Sequence, residues 1–136
     1  RTLQEQLGSA IILVGHDMGL MAQFVDRLGV MYGGNLVEVG TVEEIFNDPK
    51  HPYTQLLISS IPSLDDKKDF VGIPGMPLSL QDPPSGCLFH PRCPHVMDKC
   101  STIKPREIEF ESGRTALCLL YDEEHTNKEV VDGSTT

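Results

Sequence analysis

An α/β unit followed by a small, irregular, metal-stabilised cysteine module is the fold class that this sequence predicts, on three observations. The run Ala10-Ile11-Ile12-Leu13-Val14 is continuously apolar and rich in β-branched residues, as a strand buried on both faces would be, and Gly15-His16-Asp17 leads from it into a helical stretch. Gly33-Gly34-Asn35 parts two strand-like runs, residues 28–32 and 36–39, as the turn of a tight hairpin would. All four cysteines lie beyond residue 86, in segments rich in proline and glycine.

At 136 residues and 39% apolar composition, the chain can bury one modest core, or a small packed unit carrying a loop-rich appendage. Its formal charge of -9 argues against a nucleic-acid partner, because no basic stripe is present to displace counterions from a phosphate backbone. No apolar run approaches the length of a membrane span, and no charged start with an apolar stretch and small-residue cleavage site opens the chain. The first residue is Arg1, within what reads as a helix already under way, so an upstream portion is expected.

The elements follow in order. Residues 1–7 suit a helix with Leu3 and Leu7 on one face, stopped by Gly8-Ser9. After the apolar run, Asp17 can cap a helix whose apolar positions Met18, Met21, Val25 and Leu28 recur at helical spacing. Beyond the hairpin, Thr41 and Glu44 form a capping-box pair ahead of Ile45 and Phe46. Pro52 can open another helix with Tyr53, Leu56, Leu57 and Ile61 on one side; on local pattern alone His51 is solvated and Tyr53 packs. Residues 63–68 are polar, and residues 72–86 carry Pro74, Pro77, Pro83 and Pro84, an extended connector. An acidic, polar tail at residues 122–136, with His125 solvated in it, is expected to be disordered.

His16 stands just past the expected strand, at the sheet edge where α/β proteins bind ligands, and could donate a hydrogen bond to a phosphate oxygen or a water. The bland alternative is a histidine that bonds its own turn. Cys87, Cys93, Cys100 and Cys118 are separated by five, six and seventeen residues, spacing that can wrap four thiolates around one centre. Two disulfides, a zinc ion and an iron–sulfur cluster compete as readings. Disulfides suit secreted chains, and zinc usually takes a closer cysteine pair than these gaps supply, so the spacing leans to a cluster with zinc as the rival. A metal would supply the organising free energy that so polar a segment cannot obtain by apolar burial. Arg92, Lys99, Lys104 and Arg106 could offset the charge of thiolates or form a solvated set, while His90 and His95 stand behind the ligands or in solvent.

Residues 11–18 and 25–40 resemble ABC-transporter ATPases beyond their Walker B motif, with Gly15 in place of a commoner threonine. The resemblance implies that His16 is the switch histidine, which contacts the γ-phosphate of ATP and helps place the attacking water. No phosphate-cradling G-x-x-x-x-G-K-[ST] loop, signature motif or Walker B carboxylate segment occurs in these residues, so the chain alone is expected to be inactive. His51-Pro52-Tyr53-Thr54-Gln55-Leu56-Leu57, Gly75-Met76-Pro77-Leu78-Ser79-Leu80 and residues 83–94 resemble the C-terminal extension of the oligopeptide and dipeptide importer branch, with Leu78 replacing a common proline.

These resemblances imply a C-terminal fragment of an ABC-type ATPase domain at residues 1–47, the importer extension with its four-cysteine metal site at 48–121, and the tail at 122–136. They imply ATP with magnesium in the longer protein, a four-iron four-sulfur cluster on the cysteines, a second ATP-binding subunit and transmembrane permease subunits as partners, and a peripheral place on the cytoplasmic face of the membrane. Unpaired strand edges at residues 10–14 lead us to expect self-association of the chain. The alternative reading is a free-standing iron–sulfur or zinc-binding interaction module.

Overall fold

A computed structural model describes residues 2–61 and 72–123. The elements run α1 (Thr2–Leu7), α2 (Met18–Met21), β1 (Arg27–Tyr32), β2 (Asn35–Thr41), α3 (Val42–Asn47), α4 (Pro52–Ser59), β3 (Ile108–Glu109) and β4 (Thr115–Ala116), with short 3-10 turns among the cysteines. The strands form one antiparallel sheet in the order β1-β2-β4-β3.

The hairpin is where the sequence placed it. Gly33 and Gly34 take φ of 56° and 81°, the left-handed pair that a two-residue hairpin turn requires, and Tyr32 faces Asn35 across it. The ladder is irregular at one point: Val30 faces Glu38 whereas Met31 faces Leu36, which leaves Val37 bulged out of register on β2. Strict alternation would put Val37 inside and Glu38 outside. The bulge instead buries both, at 4% and 1% exposure.

The predicted caps also form. Asp17 accepts from the Leu20 N–H at 2.8 Å, and Thr41 with Glu44 closes a full capping box at the start of α3. Pro52 occupies the first turn of α4, with His51 as its N-cap. Ile45, fully buried, and the half-buried Phe46 carry α3 onto the hairpin core of Val30, Tyr32 and Val37.

Two expectations fail. Residues 10–14 form no strand: Ile12 and Val14 are 90% and 93% exposed, and the run is extended and unpaired. A strand buried on both faces needs ladder partners at its edges and cover above and below, and the sheet among the described residues supplies neither. The helix after Asp17 closes at Met21, followed by tight turns in which Gln23 and Phe24 bond back to Leu20 and Met21. Leu28, which fits both that helical periodicity and the strand-like run at 28–32, lies in β1 opposite Gly40, so strand pairing decides between them. The α/β expectation is thus met by short helices on an antiparallel sheet.

The cysteine-bearing segment is not an appendage. Phe89, 1% exposed, enters the same core as the hairpin. Its ring meets Tyr32 and Tyr53 at centroid distances of 5.1 and 5.3 Å, in edge-on geometry that suits aromatic quadrupoles. Leu3 has no described side chain, and the tail beyond Glu123 lies outside the described residues. Asp122, assigned to the tail, is 1% exposed and paired with Arg106 at 3.0 Å.

Candidate functional site

The bulged strand carries the polar centre of the molecule. The Glu38 carboxylate accepts from the Lys50 and His51 backbone N–H groups at 2.7 and 2.9 Å and from the Arg114 guanidinium at 2.7 Å. Arg114 is itself 4% exposed and reaches on to the Asp48 carbonyl and, at 3.4 Å, to its carboxylate. Three segments distant in sequence therefore meet on one buried carboxylate: β2, the lead into α4, and the residue before β4. Nearby, Ser112 and Thr41 donate to Glu44, and these bonds, the Ser112 hydroxyl first, hold its carboxyl down to about 2.

His51 is buried, contrary to the solvated position expected of it. Its backbone N–H goes to Glu38, and its Nδ1 accepts from the Tyr53 N–H at 3.0 Å, capping α4. Such an acceptor must be neutral. Burial pushes the imidazole down to about 4, partly opposed by the Glu38 charge and a backbone bond at Leu117. That bond ties the cap to the residue before Cys118.

The four cysteines are free thiols, Cys87 and Cys93 half-exposed and Cys100 and Cys118 buried. The backbone brings the loops together. The Cys87 N–H donates to the Cys100 carbonyl at 2.8 Å, and Gly86 beside it has φ of 70° with Ser101 so close that a Cβ would sit 2.7 Å from its carbonyl carbon. Only glycine fits there without displacing the 100–102 backbone.

The sulfurs also feel one another. Burial first, then the charge of Cys87, Cys93 and Cys100, pushes the Cys118 thiol up to about 12. Burial first and then the charge of Cys100 raise Cys87, and burial followed by the charges of Cys87 and Cys100 raises Cys93. Opposing this, backbone N–H groups point at each sulfur: Phe89 and His90 at Cys87, His95 at Cys93, Leu120 at Cys118, and Met97 at Cys100 with a 3.5 Å separation. Three of these donors stand two residues after their cysteine, a loop geometry that favours a sulfur carrying negative charge.

Among the described residues, no three or more His, Cys, Asp and Glu side chains are arranged as a metal-holding group. Thiol sulfur is by type a donor for soft cations. Burial holds Cys87, Cys93 and Cys118 toward the protonated form, whereas a bound thiophilic metal would displace such protons. The surrounding cations divide. Arg92 ties the connector down through the Ile73 and Pro74 carbonyls, each at 2.9 Å, and Arg106 pairs with Asp122, so neither is a loose counter-ion for the thiols. Lys99 is buried and Lys104 exposed. The His90 Nδ1 sits 2.8 Å from the Cys87 carbonyl, and His95 is exposed.

His16 is exposed in the bend before α2 and is not on a paired strand. Sequence reasoning missed Glu38, Arg114 and the buried role of His51. A cap position directly before Pro52 was the available signal for the last.

With this geometry in place, comparison with known proteins places residues 37–100. Residues 37–100 match the oligopeptide/dipeptide transporter C-terminal region. This stretch belongs to that family. The chain is 42% identical over 125 residues to the oligopeptide transport ATP-binding protein AppD of Bacillus subtilis, covering 91% of this chain and 38% of that protein. It is 43% identical over 124 residues to the dipeptide transport ATP-binding protein DppD of Caldanaerobacter subterraneus, covering 90% of this chain and 38% of that protein. The chain thus spans 38% of the length of these relatives. No helix among the described residues is long and apolar enough to cross a membrane.

The depressed His51 sets a pH dependence with a defined sign. Unfolded, the imidazole takes up a proton near 6.5; folded, only near 4. Its contribution is therefore complete above 6.5 and is lost as pH falls from there toward 4, on the order of 3 kcal/mol. Urea denaturation across that range should show stability falling with pH, and His51→Asn, which retains a capping oxygen, should flatten the slope. Parallel slopes for the two chains would contradict the assignment.

Proposed function

We propose that this chain is the C-terminal part of an ATP-binding subunit that energises import of oligopeptides or dipeptides. The observation that carries the reading is the match of residues 37–100 to the transporter C-terminal region, together with alignment of about nine-tenths of the chain to ATP-binding proteins named for peptide transport. In the longer protein, ATP with magnesium is bound between this subunit and a second ATP-binding subunit, and both dock peripherally on transmembrane permease subunits at the cytoplasmic face. The exposed apolar run at residues 11–14 supports a place for further strands beside it, or self-association when the chain stands alone.

His16 is the residue we assign to catalysis and to nucleotide contact. Its exposure in a bend whose following helix is capped by Asp17 leaves the imidazole free to meet a γ-phosphate oxygen and to orient a water, the positioning work on which phosphoryl transfer depends. His16→Ala in the longer protein should lower ATP hydrolysis strongly while nucleotide still binds. Unchanged turnover would remove His16 from the mechanism.

Cys87, Cys93, Cys100 and Cys118 would hold a four-iron four-sulfur cluster, with a zinc ion as the competing occupant. Four free thiols, each met by a backbone N–H, support a thiolate-ligated group. When bound, such a group cross-links loops that the aromatic core and Gly86 already bring close. Anaerobic purification followed by a visible spectrum and metal analysis should give a brown chain with about four irons and about four sulfides. A colourless chain with one zinc would make the site a structural staple, and a metal-free, correctly folded chain would overturn the assignment.

A further inference from the structure

The bend that presents His16 is closed by its own neighbours. Asp17 is extended, with φ of -103° and ψ of 99°; its carboxylate accepts from the Leu20 N–H at 2.8 Å and its carbonyl from the Met21 N–H at 3.0 Å. These two bonds fix the course of the chain directly after His16. Met18, the first residue of α2, packs against the hairpin core, so the short helix is seated on the sheet. Directly before His16, Gly15 has no side chain, and the half-buried Met21 takes that space. A Cβ placed on Gly15 would lie 3.1 Å from the Met21 sulfur and 3.6 Å from the carbons on either side of it. The His16 imidazole is exposed and has no hydrogen-bond partner among the described residues, so it does not bond its own turn. The backbone on either side of it is what holds it in place.

We propose that Asp17 and Met21 are positioning residues for His16 in ATP hydrolysis, with Met21 and Gly15 a matched pair; this rests on the catalytic reading of His16 given above. The Asp17 cap holds the backbone after the imidazole, the Met21 thioether holds the backbone before it, and neither side chain touches nucleotide. Phosphoryl transfer leaves a protein mainly placement and charge to supply, and a group displaced by about 1 Å can cost about a hundredfold in rate. A single helical turn has little stability of its own, so it depends on such anchors. Loss of either one lets His16 leave the position from which it meets the γ-phosphate, and turnover falls with the fraction of molecules in which the bend is held. Asp17 does this as a hydrogen-bond acceptor, and an uncharged acceptor of the same shape serves equally.

The test measures ATP hydrolysis by the longer ATP-binding subunit, assembled with its partners, in a set of variants. Asp17→Ala should lower kcat about fivefold with KM for ATP unchanged, the factor that loss of a cap takes from the held fraction. Asp17→Asn, which keeps a capping oxygen without the charge, should bring kcat back to within about twofold of the parent. Gly15→Ala and Met21→Ala should each lower kcat, and the double variant should be faster than Gly15→Ala alone, because the new methyl then fills the space that the thioether vacates. In a His16→Ala background, Asp17→Ala should take nothing further from the residual turnover, a result that a cap serving stability alone does not give. Parent-like kcat in Asp17→Ala, or Asp17→Asn as slow as Asp17→Ala, would overturn the proposal, as would simply additive losses at Gly15 and Met21. If Asp17→Ala also loses ATP binding, its fold is disturbed and the Gly15–Met21 comparison decides. His16→Ala alone separates the two readings. Unchanged turnover there removes the catalytic reading and this proposal together, whereas lost turnover there beside parent-like Asp17→Ala and Met21→Ala removes the positioning alone.

Discussion

A carboxylate in a protein interior must be met by a cation and by N–H groups, and the placement of Glu38 forces the rest of the molecule to supply them. The bulge at Val37 turns Glu38 inward, Arg114 arrives from the residue before β4, and the Lys50 and His51 amides close the remaining positions. Removing one partner from such a buried pair costs about 3–5 kcal/mol, because the other charge is left without compensation. The three bonds to Glu38 tie the hairpin, the lead into α4 and the residue before β4 to one another. Satellite contacts reinforce them, with the Tyr121 hydroxyl donating to the Lys50 carbonyl at 3.0 Å and Leu117 donating to Val37 at 2.8 Å.

This clamp explains how loops of poor secondary structure come to hold four thiols. Cys118 lies four residues past Arg114 and directly after Leu117, so the clamp sets its position. Cys87 is set from the other side, through Phe89 in the aromatic core and through its own hydrogen bond to Cys100. Cys118 and Cys87 are thus positioned from two directions on the same sheet.

Much of this was legible in the sequence where local chemistry decides. Two adjacent glycines between strand-like runs gave the turn, Thr41 with Glu44 the capping box, and Pro52 the start of α4. The misses have a common physical origin in long-range partners. Residues 10–14 carry a strand pattern whose ladder partners are absent from the described sheet, and Leu28 fits a helical face that the pairing of β1 with β2 takes over. Glu38 reads as an outward residue of an alternating strand, because a bulge leaves no simple mark in composition. Without Glu38 inside, neither the burial of Arg114 nor that of His51 can be inferred. The confinement of the cysteines beyond residue 86 was readable, but Gly86, which lets the Cys87 and Cys100 loops meet, shows its purpose only against the Cys100–Thr102 backbone.

The claim that the hairpin and the cysteine-bearing segment form one body joined by the Glu38 clamp is tested most directly by native-state hydrogen exchange. Amides of β2 and of residues 115–118 should open together, with the same free energy and the same dependence on urea, since breaking the clamp exposes both. Exchange of residues 115–118 at a far lower opening free energy than β2 would contradict the account, and would make the cysteine-bearing segment an independent unit resting on the sheet.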